Sequence, residues 1–405
     1  MSRAFEVHVE LDGVTVPMGD VEVDSRDHRI VRSEFRYRSS YLARSEKLPL
    51  DPHLDLAATQ HVAGALPRGL SDAGPDWWGR RLALRANRGR PLDDAELLLS
   101  VDDFARIGAL RLRAEPDGPF LSHEHEAPKL VHLREIAEAT RAVEDDPDDL
   151  AAVKLLLGTG SSALGGARPK ASVIDNDRLA IAKFAAKTDT IEVVAWEKLC
   201  LDLAAAAGIE VPVSRLVDVG RGRALILDRF DRDASGHRIP YQSAFTITDA
   251  PDPASGDYLE IGEALTELDL ADLPGTLRQL LRRVAFNIAM RNTDDHLKNH
   301  ALLWSRAGWR LSPAFDITPD EVGGTTRATS ICGYDTPGAE ARGLTELAGE
   351  FGIDKAEYDQ IVGEVVAATA TWRDAAAVLA LAPNEVTRLE RNLTEAQQGL
   401  AATTG

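Results

Sequence analysis

Asp294, Asn299 and Asp316 are the residues of this chain whose types and spacing could do chemistry together. Asn299 follows Asp294 by five positions, and Asp316 stands after an aromatic residue in the apolar-and-turn run Leu311-Ser312-Pro313-Ala314-Phe315-Asp316-Ile317. One carboxylate in such a set can orient an attacking hydroxyl. An amide oxygen and a second carboxylate are the hard donors that magnesium prefers. The chemistry implied is transfer of a phosphoryl group to a hydroxyl. His296 and Lys298, between the Asp and the Asn, add positional and electrostatic support.

The flanking pattern says what must hold this segment. Leu280 to Met290 repeats apolar residues at a helical period, and Ala301-Leu302-Leu303-Trp304 reads as a buried strand. Upstream, the Gly-rich run from Gly158 to Lys170 contains Ser161, Ser162, Gly165 and Gly166 and leads into a strand. Glycines let backbone N–H groups approach a phosphate, and hydroxyls add donors. The run does not match the Gly-Lys-Ser/Thr phosphate loop, so a phosphate cradle and a plain flexible loop are both readings of it. Lys183 lies on the next strand, between apolar neighbours; it is an edge residue or a cation that reaches the α/β-phosphates of a nucleotide. Glu197, on the helix that follows, is a candidate partner, with Glu192 as a competitor. In Leu225-Ile226-Leu227-Asp228-Arg229-Phe230-Asp231-Arg232 a buried strand gives way to charge. The backbone there could face an adenine edge, or the segment could be a strand end with a solvated ion-pair cluster.

Around these parts the pattern predicts short strands over residues 5–50, in a small and mostly antiparallel sheet. A helix begins at Trp77-Trp78, and a closing strand covers 108–113. After a Pro/Gly-containing linker come helices near 131–144 and 147–157, the second with Asp148 and Asp149 in its first turn. Strands follow at 170–174, 179–184, 213–219 and 223–227, with a helix over roughly 190–207. Beyond about 258 the pattern is helical apart from the strands next to Asp294, and it ends in a helix capped by Asn384.

The chain has 405 residues, 44% hydrophobic and 27% charged, which is ordinary for a globular protein with two or three cores. A formal charge of −19 argues against a general nucleic-acid binder, and the arginine patches at Arg36, Arg38 and Arg44 and at Arg80, Arg81 and Arg85 read as solvated faces. No apolar run reaches the ~20 residues a bilayer requires, and the N-terminus lacks the form of a signal peptide. Cys200 and Cys332 read as core thiols of a reducing compartment, the cytoplasm.

Four motifs in this order resemble the HipA family, the serine/threonine kinase toxins of bacterial toxin–antitoxin modules. They are Gly165-Gly166-Ala167-Arg168-Pro169-Lys170, Asp228-Arg229-Phe230-Asp231-Arg232, Asn292-Thr293-Asp294-Asp295-His296-Leu297-Lys298-Asn299 and Leu311-Ser312-Pro313-Ala314-Phe315-Asp316. Pro75-Asp76-Trp77-Trp78-Gly79-Arg80-Arg81 and Ile107-Gly108-Ala109-Leu110 resemble that family's N-terminal module, so the resemblance covers nearly the whole chain. It implies an α+β, two-lobed, protein-kinase-like fold. A β-rich N-terminal module would span 1–125, the nucleotide-binding part of the core 126–257 and a mainly helical lobe with the catalytic loop 258–405. It implies ATP and Mg2+ as cofactors, Asp294 as catalytic base, Asn299 and Asp316 as metal ligands, Lys183 on the phosphates and Asp228 to Phe230 facing adenine. Autophosphorylation of a serine in the Gly-rich loop, Ser161 or Ser162, would silence the enzyme. The implied partners are a helix-turn-helix, HipB-like antitoxin, DNA only through that antitoxin, and a protein substrate linked to translation. The alternatives are a kinase-like co-repressor scaffold with little activity and a kinase for a small molecule or lipid head group.

Overall fold

The longest unbroken alternation in the sequence, Phe5 to Leu11, becomes an inner strand of a five-stranded antiparallel sheet. In the computed structural model, which describes residues 2–121, 127–161, 168–322 and 324–404, the strands β1 (Ser2–Leu11), β2 (Val14–Arg26), β3 (Arg29–Tyr37), β4 (Gln60–Ala63) and β5 (Leu110–Arg113) run in the order β4-β3-β2-β1-β5. One face of β1 buries Phe5, Val7, Val9 and Leu11. Its other face is polar by period, yet Glu6, His8 and Glu10 are buried as well. His8 pairs with Glu6 at 3.0 Å and takes the edge of the Phe120 ring, centroids 5.2 Å apart. Glu10 accepts the Arg238 backbone N–H at 2.8 Å. Buried polar groups persist only with such partners, and here they are a side chain two residues away, an aromatic ring and a backbone N–H.

The chain divides into two compact units, Met1–Thr188 with Val217–Gln242, and Asp189–Leu216 with Ser243–Gly405. The first contains a second antiparallel arrangement, β6 (Lys170–Asp175), β7 (Arg178–Phe184) and the strand Arg223–Asp228, with β7 in the middle. Ala171, Val173, Ala180, Ala182, Ala224 and Ile226 share one face and pack in one core with Ile136, Val143, Val153 and Leu156. These last four come from the helices Leu133–Asp145 and Leu150–Gly158. Asp149 does not lie in the first turn of the second helix as expected. It is the N-cap, accepting the N–H groups of Ala151 and Ala152 at 3.0 Å each, because an exposed carboxylate there satisfies two otherwise unpaired donors.

The second unit is built on the helix Leu273–Ala289, capped by Asp272, whose Oδ1 accepts the Gly275 N–H at 3.0 Å. Leu280, Leu281, Val284, Ala285 and Ile288 bury its apolar stripe. The helices Glu340–Glu350, Lys355–Thr369 and Pro383–Ala401 pack on it. Pro383, not Asn384, starts the last helix; its ring presets φ and it has no N–H to satisfy. The helix Val193–Ala206 is fixed to that start by Glu385, which accepts Trp196 Nε1–H at 2.8 Å and the Glu192 N–H at 3.2 Å. The predicted strand Ala301–Trp304 forms, as part of the hairpin Ala301–Ser305 and Gly308–Leu311. Cys200 is fully buried, whereas Cys332 is only partly so, in a turn with φ of 50°. Among the described residues no helix is long and apolar enough to cross a membrane.

Candidate active site

The segment Arg291 to Asn299 leaves the helix Leu273–Ala289 through a left-handed residue, Arg291, at φ 54°. Asn292 folds back on that helix. Its N–H reaches the Asn287 carbonyl at 2.9 Å and its Nδ2–H the Asn287 Oδ1 at 3.1 Å. Two buried guanidiniums hold the turn from the far side. Arg291 Nη1–H donates to Glu340 Oε2 at 3.1 Å, and Arg327 binds Glu340 Oε1 at 3.3 Å and the Asn292 carbonyl at 3.2 Å. Burial pushes the Glu340 carboxyl above its ordinary range, and the two arginines only partly reverse that.

The two adjacent carboxylates then go opposite ways. Asp294 is exposed, whereas Asp295 is buried. Asp295 Oδ2 accepts the Tyr258 hydroxyl, Asn287 Nδ2–H at 2.5 Å and His300 Nε2–H at 3.0 Å. Its carbonyl accepts Thr329 Oγ1–H at 2.6 Å. Tyr258 and His300 also meet edge to face, centroids 5.3 Å apart. With its neighbour pinned so firmly, the Asp294 side chain is presented outward on a rigid backbone. Asn299 closes the loop, donating Nδ2–H to the Asp294 carbonyl at 3.0 Å. That bond orients the amide and leaves Oδ1 as its acceptor face. Between them Leu297 is fully buried, with its N–H on the Pro253 carbonyl at 2.9 Å. Leu297 sits where Gly256 has no side chain; a Cβ there would come within 2.4 Å of Leu297 Cδ2. His296 is half-buried with Nδ1 unpaired among the described residues, and Lys298 Nζ lies 5.8 Å from the Phe245 ring centroid.

Asp316 is carried by a segment anchored upstream of it. Ser312 N–H bonds the Ala301 carbonyl at 2.8 Å, the Ser312 carbonyl accepts Arg283 Nη2–H at 2.5 Å, and Ala314 N–H bonds the Glu210 carbonyl at 2.8 Å. Asp316 itself is left-handed, φ 55°. A side chain held there costs on the order of 1–2 kcal/mol and is retained where the surroundings impose it. A cavity of about 10 Å³ lies between the two segments, with Asp295, Asn299, His300 and Phe315 in its wall. The fold thus brings Asn299 and the residue before Asp316 to one place. Among the described residues no group of three or more His, Cys, Asp or Glu could hold a metal. An amide oxygen and one carboxylate suit magnesium held together with phosphates, since it keeps waters and substrate oxygens as its other ligands.

Apart from Glu197, the remaining predicted residues belong to the other unit. Lys183 is buried on β7, directly opposite Lys170 of β6, on the sheet face away from the helices. Ser172, on the same face, has a buried hydroxyl with no partner among the described residues. Such a face, with two lysines and an unpaired hydroxyl, fits an anionic group. Asp228 ends its strand opposite Ala180 and lies 3.8 Å from Arg178 Nη1. Arg229 gives its N–H to the Leu179 carbonyl at 3.2 Å, and its guanidinium is buried against Asp231 at 2.6 Å and the Ala105 carbonyl at 3.0 Å. The Arg229 side chain is therefore committed within the protein, as are those of Asp231 and Arg232. Burial alone would raise Asp231, but Arg229, Arg232 and the Gly108 N–H hold it well below the usual carboxylate range. Burial pulls Arg232 down to about 9. Phe230, next in this segment, is partly exposed. Ser161 is fully buried with its Oγ 2.8 Å from Thr159 Oγ1. Ser162, Gly165 and Gly166 lie outside the described residues. Glu197 is buried on the helix Val193–Ala206, in a different unit from Lys183, and their pairing stays an expectation.

Residues 162–372, just over half of the chain, match the family model of the HipA-like C-terminal domain. The chain belongs to the HipA-like family. HipA of Shewanella oneidensis MR-1, solved in a complex with HipB and operator DNA, superposes with a TM-score of 0.69 at 16% identity, covering 98% of this chain and 97% of its own. That likeness shows the fold, mixed α/β with both strands and helices, as expected from the sequence. Y4dM of Sinorhizobium fredii, whose name marks it only as a candidate kinase, is 31% identical over 133 residues. The match spans 29% of this chain and 32% of that relative.

Within this HipA-like chain, sequence reasoning missed the hub residue. Asp295 was legible only as the second half of an Asp-Asp pair. The signal was available, because apolar runs on both sides force adjacent side chains to opposite faces, and the inward carboxylate then needs donors. The Glu340–Arg291–Arg327 cluster gave no comparable sign, since its members are up to 49 residues apart.

Proposed function

We propose that this protein is an ATP- and magnesium-dependent serine/threonine protein kinase acting as the toxin of a toxin–antitoxin module. The observation that carries the reading is the pair of adjacent carboxylates. One is buried in a network that fixes the loop, and the other is left exposed on it, five residues before an amide oriented by that same loop. Phosphoryl transfer asks mainly for positioning and charge neutralisation, and a preorganised loop supplies the first. In this reading Asp294 accepts the proton of the attacking hydroxyl. Asn299 Oδ1 and Asp316 would hold magnesium, which when bound neutralises phosphate charge. Lys183 pairs with the phosphates and is oriented by Glu197, while His296 and Lys298 support the transferred group. Asp228 to Phe230 face adenine through the backbone, and Gly165 and Gly166 cover the phosphates.

Ser161 or Ser162 is the autophosphorylation site that silences the enzyme. A helix-turn-helix, HipB-like antitoxin is the partner, reaching DNA on the protein's behalf, and the target is a protein linked to translation. Kinship with a family that includes a HipA solved with HipB and operator DNA supports the partner.

The test is incorporation of labelled γ-phosphate by the purified chain with magnesium. Wild type is expected to label itself, and Asp294→Asn and Asp316→Ala to fall by about 10²-fold or more with unchanged circular dichroism. Wild-type labelling by either variant would remove the assignment.

A further inference from the structure

A large polar cavity of the second unit has none of Asp294, Asn299 or Asp316 in its wall. It holds about 520 Å³, within the range of small-molecule sites. Its walls come from the first half of the helix Leu273–Ala289, the helix Lys355–Thr369, the Glu210 segment and the strand Gly308–Leu311, with Leu311 and Ile361 as apolar floor.

Four arginines line it, and the acids beside them are already used. Arg278 pairs with Glu357, Arg310 with Glu210 at 3.6 Å, and Arg282 with Glu364 at 2.5 Å and the Ala207 carbonyl at 2.8 Å. Asp272 is spent on capping its helix. Arg283 is left over. Only 4% of it is exposed, it makes no ion pair within 4 Å among the described residues and feels Glu210, already paired with Arg310, only at longer range, and its one side-chain hydrogen bond goes to the Ser312 carbonyl. Its Nε–H has no partner. A buried cation is normally matched by a counter-charge, because leaving water costs more than one carbonyl returns. Burial lowers Arg283 to about 10, so it remains charged at neutral pH.

We propose that this cavity binds a small molecule carrying an oxyanion, a phosphate ester or a carboxylate, which supplies the counter-charge for Arg283. Arg278 and Arg310, 46% and 44% exposed at the rim, take its remaining acceptors by sharing the carboxylates they now hold. Arg283 also lines the small cavity that contains Asn299 and Phe315. Occupancy is thereby felt at the carbonyl of Ser312, four residues before Asp316.

The test is calorimetric titration of the full chain with inorganic phosphate and, separately, with citrate. It needs no phosphotransfer activity, so its failure is distinct from failure of the kinase reading. Binding of at least one probe is expected, weakened by about tenfold or more in the double variant Arg278→Gln/Arg310→Gln, which alters only half-exposed side chains. Lys183→Met, which alters the other candidate anion site, is expected to keep the binding event that the double variant weakens. Phosphate as the better probe marks a phosphate ester as the ligand class, and citrate marks a carboxylate. The proposal is overturned if neither probe binds up to about 10 mM, if the double variant binds as wild type, or if Lys183→Met alone abolishes binding.

Discussion

Asp294 and Asp295 are neighbours with the same side chain, and the structure gives them opposite work. Asp295 satisfies three buried donors, from Tyr258, Asn287 and His300. Removing it by Asp295→Ala leaves those donors unpaired, and unfolding free energy is expected to fall by roughly 3–5 kcal/mol, the cost of breaking a buried charged network. Phosphotransfer should fall with it, because loss of the hub lets the loop drift from its reacting geometry. Asp294→Asn, on the surface, should shift stability by no more than about 0.5 kcal/mol while removing activity. Urea denaturation of both variants decides this; equal stability losses would mean that the doublet has no inward and outward member. The asymmetry shows what the sequence could and could not reveal. The Asp–Asn spacing is short-range and legible in one line of text. The hub's partners lie 37, 8 and 5 residues away, Tyr258 on another helix, and only the fold makes the three converge on one carboxylate.

At the scale of elements, the charges of Asp228 to Arg232 suggested either a backbone facing a nucleotide or a solvated cluster at a strand end. The cluster is not solvated: Arg229 and Asp231 are buried, Arg232 is partly so, and all three hold the segment Phe104 to Gly108. Asp231 accepts the Gly108 N–H at 2.8 Å, and Arg232 donates to the Arg106 carbonyl at 2.9 Å. These partners are more than 120 residues apart in the chain, beyond any pattern a local window contains. Arg106 is another case, fully buried on the carbonyls of Ala73, Leu98 and Val101. Asp231→Ala would strand two buried guanidiniums, so a loss of roughly 3–5 kcal/mol is expected. Because the folded carboxyl titrates below its unfolded value, its stabilisation is complete above the unfolded value of about 3.9 and drains as pH falls toward the folded one. The stability difference between wild type and Asp231→Asn should therefore stay flat from about pH 8 to 5 and shrink below about 4. A difference that grew on acidification would reverse the sign assigned to this group.

For the whole molecule, the strand and helix order was legible because each period persists over several turns or pleats, as in β1 and the helix Leu273–Ala289. What stayed hidden was how charge is distributed between inside and outside. A chain with a net charge of −19 nevertheless buries Lys170 and Lys183 side by side on a sheet. If this face takes the phosphates, as proposed, a bound polyanion should be felt as stability of the native state. A ligand that binds only that state stabilises it by RT ln(1 + [L]/Kd), about 2.7 kcal/mol at a hundredfold excess over Kd. ATP with magnesium at such a concentration is expected to raise the thermal midpoint by on the order of 5 °C, and adenosine, which lacks phosphates, by much less. Lys183→Met should erase most of the difference between the two ligands. On the proposed reading of Asp316 as a magnesium ligand, magnesium withheld with EDTA should reduce the ATP shift in wild type but not in Asp316→Ala. Differential scanning fluorimetry reads all of these shifts in one experiment. Equal shifts for ATP and adenosine would mean that the buried lysines meet no phosphate, and the nucleotide reading of that sheet face would fall with them.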